Sequence, residues 1–491
     1  MTENEQDKFL ENWLEGEALA EAALHIIGKL FRDQGVVTMI HGRPVINFST
    51  VDLIKAHRFV WQIDNEELYL KDSFPILEAI NDLQLPAVRI DLGILTRTYL
   101  KGDKSQTPAE FVTEQLGEIV GKEDNAPDRP QDVVLYGFGR VGRLLARLLV
   151  EQTGRGNKLR LRAIAVRKSV DNDLQKRASL LRRDSVHGQF NGTIRVDEEN
   201  EAIIANGNYI QIIRPTTPDK LDYTQYGIHD ALVVDNTGKW RDEEGLGLHL
   251  KSKGVAKVLL TAPGKGGIKN IVYGVNDDTL SPEDAILSAA SCTTNAIVPV
   301  LQAVNNKYGI ASGHVETIHA YTPDQNLLDN IHKHERRGRG APLNMVLTNT
   351  GAANAVAKAL PDLKGKLTAN AIRVPTPNVS MAILSLNFEK ATTKEELNSY
   401  LRHIALHSEL QDQIDFTTST ELVSTDLVGS RHACMIDSAV TIAQGNRVVL
   451  YVWYDNEFGY SCQVVRIIQK MAGFDFEVFP KKVGQTQLTF V

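Results

Sequence analysis

Residues 290–296 hold a cysteine between small and hydroxylic residues. An apolar run follows it at helical spacing: Ile297, Val298, Val300, Leu301 and Val304. Cys292 is therefore expected in the first turn of a helix, beside unpaired backbone N–H groups and the positive end of the helix dipole. Such a setting lowers the pKa of a thiol from about 8.5 and favours the nucleophilic thiolate. The alternative is a buried, unreactive cysteine at the start of a helix.

Residues downstream of this cysteine could complete a catalytic site. His319 ends a strand-like segment, residues 317–322, and could be the base that a cysteine nucleophile requires. Four further groups could bind phosphate in two places: Arg337, Arg373, Thr322 and Thr350. Taken singly, the two arginines would be surface charges. Taken together with the cysteine and the histidine, these groups indicate an anchor for a phosphorylated substrate.

A glycine-rich turn upstream is typical of dinucleotide binding. Residues 132–136 form a short buried-strand pattern, and a helical run follows at residues 144–150. Between them lies G-x-G-x-x-G, in the strand–turn–helix context that the motif requires. The first glycine permits the tight turn, the second lets the backbone approach the pyrophosphate, and the third lets helix and strand pack closely. The motif predicts cofactor contacts from Gly137, Gly139, Arg140, Val141 and Gly142.

The next predicted strand, residues 161–166, should end where an acidic residue would accept hydrogen bonds from the adenosine ribose. Arg167 and Lys168 occupy this place instead. Two cations suit a 2′-phosphate better than a free hydroxyl. Alternatively, both are solvated charges, and the loop folds back so that the carboxylate of Asp171 or Asp173 accepts the hydrogen bonds of the ribose. The residues alone leave both interpretations open.

The order of the predicted elements indicates an α/β fold. Strands at residues 231–235 and 258–261 each lead into a loop, which implies a Rossmann-type, doubly wound parallel sheet with its ligand at the carboxyl ends of the strands. Later strands alternate partly between apolar and polar residues, which suggests an α+β domain with a mainly antiparallel sheet covered by helices. They are predicted at residues 381–388, 439–442 and 447–454.

A further region precedes these elements. Residues 1–121 are predicted to be mostly helical, with a helix start at Thr107-Pro108-Ala109-Glu110, where threonine caps, proline takes the first helical position and glutamate closes a capping box. Residues 122–131 are polar, contain two prolines and are predicted to be a linker. No catalytic constellation is visible in residues 1–121, and their partner is unknown.

The overall composition excludes several classes of protein. The chain has 491 residues, enough for two or three domains, and its net charge of −7 gives no basic surface for nucleic acid. No apolar run approaches the ~20 residues that span a bilayer, and the acidic N-terminus lacks a signal-peptide pattern. Three widely spaced cysteines form neither a disulfide framework nor a metal cluster. We expect a cytoplasmic enzyme without a metal ion.

The assembled motifs resemble phosphorylating glyceraldehyde-3-phosphate dehydrogenase. They are GFGRVGR, DSVHG, ASCTTNA, HAYT-x-DQ, RRGR, TGAA, RVPTPNVS and WYDNE-x-GYS, in the order of the family. The resemblance covers about residues 132–473. It implies a dinucleotide-binding domain at residues 132–291, a catalytic domain at 292–455 and a C-terminal helix at 456–473 that returns to the first of these. Residues 474–491 are predicted to be a tail.

The resemblance also implies a role for each matching residue. Cys292 attacks the aldehyde of glyceraldehyde 3-phosphate, His319 activates the thiol, and inorganic phosphate attacks the thioacyl intermediate. Thr322 and Arg373 match the site for the phosphate of the substrate, and Arg337 lies between the two phosphate sites. The site of the attacking phosphate is matched by Ser291, Thr293, Thr350 and Gly351. Cofactor contacts are implied for Arg214, Thr237, Thr261, Asn456 and Tyr460.

Two departures from the family bear on the choice between NAD and NADP. NAD-preferring members usually have Asn-Asp where this chain has Arg167-Lys168, and they tend to have Leu-Pro where it has Asn330-Ile331. Both changes remove features unfavourable to a 2′-phosphate, and we therefore expect NADP to be used at least as well as NAD. Arg167 and Lys168 are the residues expected to select it.

The resemblance further implies a homotetramer, assembled through the loop at residues 324–340. Two rival functions remain. Erythrose-4-phosphate dehydrogenase shares the cysteine and the histidine, but TGAA and VPTPNV follow the glyceraldehyde-3-phosphate pattern. A non-catalytic regulator that keeps the fold would have no need of Cys292, His319, Arg337 and Arg373 together.

Overall fold

The structure, a computed structural model, describes residues 3–64, 67–103, 105–123, 129–156, 158–474 and 476–481. The chain divides into two compact units, the first comprising Met1–Asp128, Leu406–Glu409 and Phe474–Val491, and the second Arg129–Ala405 and Leu410–Gly473. Residues 124–128 of the predicted linker and 482–491 of the predicted tail lie outside the described residues. Within the described ranges, no helix has both the length and the apolar character needed to cross a bilayer.

In its described residues, the first unit contains five α-helices, a π-helical turn at Leu30–Gln34 and a small sheet. Its elements are α1 (Glu3–Lys29), β1 (Val37–Ile40), β2 (Arg43–Pro44), α2 (Thr50–Asp64), α3 (Leu70–Asn81), β3 (Arg89–Asp91), α4 (Leu92–Lys101) and α5 (Pro108–Leu116). The predicted capping box at the start of α5 is confirmed, because Glu110 N donates to Thr107 Oγ1 at 3.3 Å and Thr107 N donates to Glu110 Oε2 at 2.9 Å. The helices share one apolar core that includes Ala20, Ile27, Leu53, Ile76, Leu95 and Phe111.

The second unit begins with the domain that is predicted to bind a dinucleotide. Its elements are β4 (Gln131–Tyr136), α6 (Arg140–Glu151), β5 (Leu159–Ala165), α7 (Asp173–Arg182), β6 (Arg183–Asp184), β7 (Gly188–Gln189), β8 (Ile194–Asp197), β9 (Ala202–Ala205), β10 (Asn208–Ile213), β11 (Ala231–Asp235), α8 (Glu243–Leu250), β12 (Val255–Leu260) and β13 (Ile286–Ser288). Eight strands form one sheet in the order β13-β12-β11-β4-β5-β10-β9-β8. Six of them run parallel, and β8 and β9 add an antiparallel edge.

This strand order confirms the predicted doubly wound sheet. From the central β4 the chain proceeds to β5 and β10 on one side, then returns to β11, β12 and β13 on the other. The carboxyl ends of β4 and β11 therefore flank the point at which the strand order reverses. Doubly wound sheets bind their ligands at this point.

The domain predicted to be catalytic follows in the same unit, apart from residues 406–409, which belong to the first unit. Its elements are α9 (Cys292–Tyr308), β14 (Ile310–Ala320), β15 (Val346–Thr348), α10 (Ala352–Ala359), β16 (Leu367–Val374), β17 (Ser380–Thr392), α11 (Lys394–His407), β18 (Ile414–Thr417), β19 (Cys434–Asp437) and β20 (Ile442–Tyr454). The sheet order is β15-β16-β14-β17-β20-β19-β18. Four of its pairings are antiparallel, while β14–β16 and β18–β19 are parallel, which confirms a mainly antiparallel sheet.

The last elements of the chain belong to different units. Helix α12 (Phe458–Met471) lies against α6, where Gln469 Nε2 donates to Gln152 Oε1 at 2.9 Å. Strand β21 (Val478–Phe479) then pairs in parallel with β3 and completes a four-stranded sheet in the first unit, in the order β2-β1-β3-β21. Part of the segment predicted as a tail is thus a strand, and Phe479 is only 2% exposed within the apolar core of that unit.

Candidate active site

Cys292 is the first residue of α9, as the sequence predicts. Ser291 caps this helix, since its Oγ accepts a hydrogen bond from Thr294 N at 3.0 Å. Ala290, just before the cap, has a left-handed backbone with φ of 54°, so the chain turns sharply between β13 and α9. The turn and the cap together fix the position of the Cys292 side chain.

The structure brings His319 to the cysteine. His319 lies at the end of β14, and its Nε2 is 3.6 Å from Cys292 Sγ. In the parallel pairing of β14 with β16, Arg373 is the direct partner of His319. Arg373 Nη1 accordingly lies 2.6 Å from His319 Nδ1 and donates to Ala320 O at 2.8 Å. Sheet register therefore places the guanidinium behind the imidazole, on the side away from the thiol.

The contacts of His319 are compatible with two tautomers. If Nδ1 carries the proton, it donates to Ala320 O at 2.7 Å and leaves Nε2 free to accept the proton of the thiol. If Nδ1 instead accepts from Arg373, Nε2 carries the proton and donates to sulfur. The first tautomer is the one in which the imidazole acts as a base, and the second stabilises a thiolate.

Burial determines the charge state of this pair. It lowers the pKa of His319 from 6.5 to about 3, and the positive charge of Arg373 adds to the effect, so the imidazole is neutral near pH 7. Part of Cys292 remains accessible to solvent, yet protein surrounds the thiol, and this desolvation raises its pKa despite the opposing charge of Arg373. The expectation of a lowered thiol pKa is therefore wrong for this arrangement, because desolvation outweighs the helix terminus and the neighbouring cation.

One of the predicted phosphate-binding groups is held by a carboxylate that sequence reasoning missed. Arg337 lies in a short 3₁₀ helix, Glu335–Gly338, and is 7% exposed. Its Nη2 lies 3.5 Å from Thr322 Oγ1, and both residues also bind Asp324 through short hydrogen bonds. The charges of Arg337 and Asp324 both act on His319. Thr322, Arg337, Arg373 and His319 are thus brought into one site.

The other predicted phosphate-binding residues lie at two helix starts. Thr293, in the first turn of α9, lies with its Oγ1 3.0 Å from Tyr454 Oη. Thr350 and Gly351 precede α10, where Thr350 Oγ1 accepts from Ala352 N at 3.2 Å. Helix α10 packs against α9. These residues therefore sit at the first turns of two neighbouring helices, which are electrostatically suited to anions.

Tyr454 is a positioning residue that sequence reasoning missed. Its hydroxyl lies 3.0 Å from Thr293 Oγ1 and 2.7 Å from Thr317 Oγ1, so it links the helix of the nucleophile to the strand of the base. The ring meets that of His319 edge to face, with 6.0 Å between centroids. A signal was present, because Tyr454 belongs to the WYDNE-x-GYS motif, but only the tertiary structure gives the tyrosine this contact.

The glycine turn has the geometry of a pyrophosphate cradle. Gly137 has a φ of 99°, and a Cβ atom at Gly142 would lie 2.6 Å from Gly137 O, so a side chain fits at neither position without strain. A Cβ at Gly139 would meet nothing within 4 Å, and Val141 follows in the first turn of α6. The turn therefore leaves room for a ligand at the start of the helix, and the residues fit a dinucleotide.

The side chain of Arg140, a predicted cofactor contact, is engaged in ion pairs within the protein. Its guanidinium forms short ion pairs with Asp184 and Glu457, and Glu457 Oε2 also lies 3.0 Å from His187 Nε2. These contacts tie the start of α6 to the segment that carries Asn456. Arg140 thus links two predicted parts of the cofactor site.

The remaining predicted cofactor residues lie at strand ends and near the start of α12. Thr237 Oγ1 donates to Asp235 Oδ1 at 2.7 Å, and Thr261 Oγ1 donates to Asp235 O at 3.1 Å, so both hydroxyls are fixed at the carboxyl ends of β11 and β12. Asn456 Oδ1 accepts from Ser380 Oγ at 2.7 Å. Tyr460 Oη donates to Ala290 O at 3.1 Å, two residues before the cysteine.

After β5, the cations and the carboxylate predicted as alternative contacts of the ribose differ in their exposure to solvent. Arg167 and Lys168 are exposed, whereas Asp173 is only 3% exposed and begins α7. Asp173 Oδ2 accepts from Arg214 Nη1 at 2.5 Å and from Arg177 Nε at 2.7 Å. Burial alone would raise the pKa of Asp173, but these hydrogen bonds outweigh it and hold the pKa below its usual range.

Comparisons with known proteins agree with this geometry. Residues 131–243 match the family described as glyceraldehyde 3-phosphate dehydrogenase, NAD binding domain, and residues 291–456 match its C-terminal domain. The chain is 62% identical to a "glyceraldehyde-3-phosphate dehydrogenase-like protein" of Pseudomonas aeruginosa, over 93% of this chain and 99% of the relative. It is 39% identical to chloroplastic glyceraldehyde-3-phosphate dehydrogenase A of Zea mays, over 78% of this chain and 92% of the relative.

A third relative, glyceraldehyde-3-phosphate dehydrogenase of Zymomonas mobilis, is 39% identical over 69% of this chain and 98% of its own length. The match with the Pseudomonas protein covers 93% of this chain. It thus extends beyond residues 131–243 and 291–456, which the two family domains match. The matched domains, the glycine cradle and the doubly wound sheet indicate an enzyme that binds a nicotinamide dinucleotide. The chain belongs to the glyceraldehyde 3-phosphate dehydrogenase family and is an NAD(P)-dependent dehydrogenase.

Proposed function

We propose that the enzyme oxidises D-glyceraldehyde 3-phosphate reversibly to 1,3-bisphosphoglycerate, with inorganic phosphate as second substrate and a thioacyl group on Cys292 as intermediate. The observation that carries the proposal is the 3.6 Å contact between Cys292 Sγ and His319 Nε2, with Arg373 beside it. Relatives named glyceraldehyde-3-phosphate dehydrogenase, from Zea mays and Zymomonas mobilis, support the choice of substrate.

In the first half-reaction His319 Nε2 accepts the thiol proton, and the thiolate attacks the aldehyde carbon. The imidazolium returns this proton to the aldehyde oxygen, which gives a hemithioacetal and a neutral His319. A neutral imidazole is required for this step, and the pKa of His319 of about 3 supports it. A nicotinamide bound at the site would supply the acceptor for the hydride that leaves this carbon. His319 takes the hydroxyl proton of the hemithioacetal, and a thioester remains on Cys292.

In the second half-reaction an oxygen of inorganic phosphate attacks the thioester carbonyl, the carbon–sulfur bond breaks, and the thiolate is regenerated. Two anions must therefore bind close to one sulfur. Arg373 and Thr322 are proposed to hold the phosphate of the substrate, and Arg337 lies between the two sites. The attacking phosphate is assigned to Ser291, Thr293, Thr350 and Gly351, a proposal supported by their position at the starts of α9 and α10.

The test is Cys292→Ser, which should abolish dehydrogenase activity while the protein still folds and binds dinucleotide, because a serine has no accessible anion at neutral pH. Cys434→Ser is the matched control, since Cys434 is 1% exposed and lies in β19, away from His319. Rates with erythrose 4-phosphate and glyceraldehyde 3-phosphate should be compared in the wild type. Retained activity in Cys292→Ser, or a faster reaction with erythrose 4-phosphate, would refute the proposal.

We further propose that NADP is used at least as well as NAD. The proposal is supported by exposed Arg167 and Lys168 at the end of β5 and by the engagement of Asp173 with Arg177 and Arg214. A carboxylate already bound to two guanidinium groups is poorly available to a ribose hydroxyl. A guanidinium can bind a 2′-phosphate through charge-assisted hydrogen bonds, each worth about 1.5–3 kcal/mol.

The deciding measurement for this preference is kcat/KM with both cofactors in the wild type and in Arg167→Ala/Lys168→Ala. One lost contact should lower the NADP/NAD ratio roughly tenfold to a hundredfold. Lys176→Ala, an exposed cation on α7, is the control. If the double variant kept the wild-type ratio, these two residues would have no part in selecting the cofactor.

A homotetramer is proposed from membership of the family. It is supported by three strongly exposed apolar side chains in the loop at residues 324–340: Leu327 at 73%, Leu328 at 76% and Ile331 at 95%. Exposed apolar side chains clustered in this way are typical of protein–protein interfaces. Ile331→Glu should shift the molar mass in light scattering from tetramer towards smaller species, whereas Val423→Glu, at another exposed apolar position, should not. Unchanged mass in Ile331→Glu would place the interface elsewhere.

A further inference from the structure

Arg177 connects helix α7 to the loop that follows β5. Its Nε donates to Asp173 Oδ2 at 2.7 Å, and its Nη2 donates to Asp173 Oδ1 at 2.9 Å, which is a bidentate pair one helical turn apart. The same Nη2 donates to the backbone carbonyl of Arg167 at 3.0 Å. The guanidinium thus spans ten residues of sequence and holds the main chain at Arg167 to a helix.

We call the ion pair of Asp173 and Arg177 the clamp. Both of its side chains are well buried. The side chain of Asp173 is 2% exposed and that of Arg177 is 13% exposed. Asp173 Oδ1 also accepts from the N–H and the hydroxyl of Ser169, at 3.2 and 2.8 Å. Residues 167 and 169 of the loop are therefore both fixed to the start of α7, and Lys168 lies between them with its side chain exposed.

The clamp also sets the position of a further cation. Arg214 follows β10, the strand next to β5, and donates through Nη1 to Asp173 Oδ2 at 2.5 Å, while its Nε lies 3.5 Å from Glu201, whose side chain is 48% exposed. One buried carboxylate thus serves two guanidinium groups. Asp173 is committed to them. The loop cations and Arg214 follow the carboxyl ends of the neighbouring parallel strands β5 and β10, the region where the adenosine ribose binds in this fold.

We infer that Arg177 is a positioning residue for cofactor selection: with Asp173 it fixes the loop that presents Arg167 and Lys168 to the 2′-phosphate of an adenosine ribose. The inference rests on the proposed use of NADP. A guanidinium is needed because Nε and both hydrogens of Nη2 are used in fixed, planar directions. An ammonium group cannot copy this fork, and an uncharged side chain would free the Arg167 carbonyl and leave Asp173 with one guanidinium fewer.

The test is equilibrium binding of NADP and of NAD to the full-length enzyme, with kcat and KM measured alongside. Arg177→Met should lower the ratio of NADP to NAD affinity about tenfold, through KM rather than kcat, and Arg177→Lys should not restore the ratio. Lys176→Met is the matched control, because it removes an exposed charge from the adjacent position of the same helix, and its ratio should equal that of the wild type.

The possible outcomes distinguish a failure of the role inferred for Arg177 from a failure of the proposed use of NADP. Wild-type enzyme that does not bind NADP would overturn both the proposed cofactor preference and the role of Arg177. Wild-type enzyme that binds NADP, with an unchanged ratio in Arg177→Met, would overturn the role of Arg177 alone. An equal loss of affinity for both cofactors, or full rescue by lysine, would show a merely structural role and would also overturn the inference.

Discussion

The chemistry of the site rests on a few atoms around one sulfur. Cys292 Sγ faces His319 Nε2 at 3.6 Å, and the other ring nitrogen faces both Ala320 O and Arg373. Burial and the neighbouring cation keep the imidazole uncharged, which a base must be if it is to accept a proton at neutral pH. The same burial disfavours a permanent thiolate, so thiol deprotonation depends on His319.

We therefore predict that His319→Asn lowers the rate of aldehyde oxidation by about 10²–10⁴-fold, the usual contribution of a positioned acid–base group. His314→Asn on the same strand is the control, because His314 lies near the middle of β14, five residues before His319, and its Nδ1 is 2.8 Å from Thr368 Oγ1. Steady-state rates at saturating substrate measure the effect. A loss below tenfold in His319→Asn would contradict the assignment of the base.

The buried imidazole should also make stability depend on pH. The pKa of His319 is about 3 in the folded protein and 6.5 ordinarily, so between these values the unfolded chain binds the proton and the folded chain does not. Folding stability must then fall as the pH drops below about 6.5. Unfolding midpoints between pH 7 and 4.5 should decline more steeply in wild type than in His319→Asn. Parallel curves would contradict the depressed pKa.

Residue-scale prediction from the sequence worked where the signal was local. The type and setting of Cys292, at the start of α9, are readable from its neighbours, and His319 from its place at the end of a strand. The predicted lowering of the Cys292 thiol pKa was wrong, because desolvation of the thiol depends on residues distant in sequence. The contact of Tyr454 with Thr293 and that of Asp324 with Arg337 arise only in the tertiary structure, so these roles could not be derived from spacing.

At the scale of elements, strand register is what assembles the site. The parallel pairing of β14 and β16 sets Arg373 directly beside His319, although 54 residues separate them. Register of this kind cannot be read from periodicity. The glycine turn between β4 and α6 could be predicted, because each glycine is required by the backbone of a few adjacent residues.

The sheet of the first unit was not predicted, and its strands explain why. They are only two to four residues long, and β3 pairs with β21, which lies near the other end of the chain. Short strands carry almost no alternating pattern, and no local signal identifies so distant a partner. The helices around them are longer and bear clear signals, such as the capping box at Thr107.

A single side chain in β21 tests this pairing. Phe479→Ala should destabilise the first unit by about 3–5 kcal/mol, the usual cost of removing a buried phenylalanine, since Phe479 is 2% exposed in the core. Lys481→Ala, two residues on and with a side chain 61% exposed, should leave the stability close to that of the wild type. Urea unfolding followed by hydrogen exchange in β3 measures both. Equal stability in the two variants would contradict the buried position of Phe479.

At the scale of the whole molecule, every predicted site residue lies in the second unit, within residues 129–473. A chain trimmed to these residues should therefore keep dehydrogenase activity and cofactor binding. Removal of residues 1–128 alone is predicted to give a lower soluble yield, because Phe479 would lose the first-unit core in which it is buried. Soluble yield and specific activity of the two truncations measure this. An inactive or insoluble 129–473 chain would contradict the prediction.

The central claim is that Cys292 carries the acyl group of glyceraldehyde 3-phosphate until inorganic phosphate removes it. The most direct measurement is peptide mass spectrometry of enzyme mixed with this aldehyde and oxidised cofactor in the absence of phosphate. The account predicts one acyl adduct, on the peptide that contains Cys292, and its loss when phosphate is added. An adduct on Cys434 or Cys462, no adduct at all, or an adduct that phosphate does not release would contradict the account.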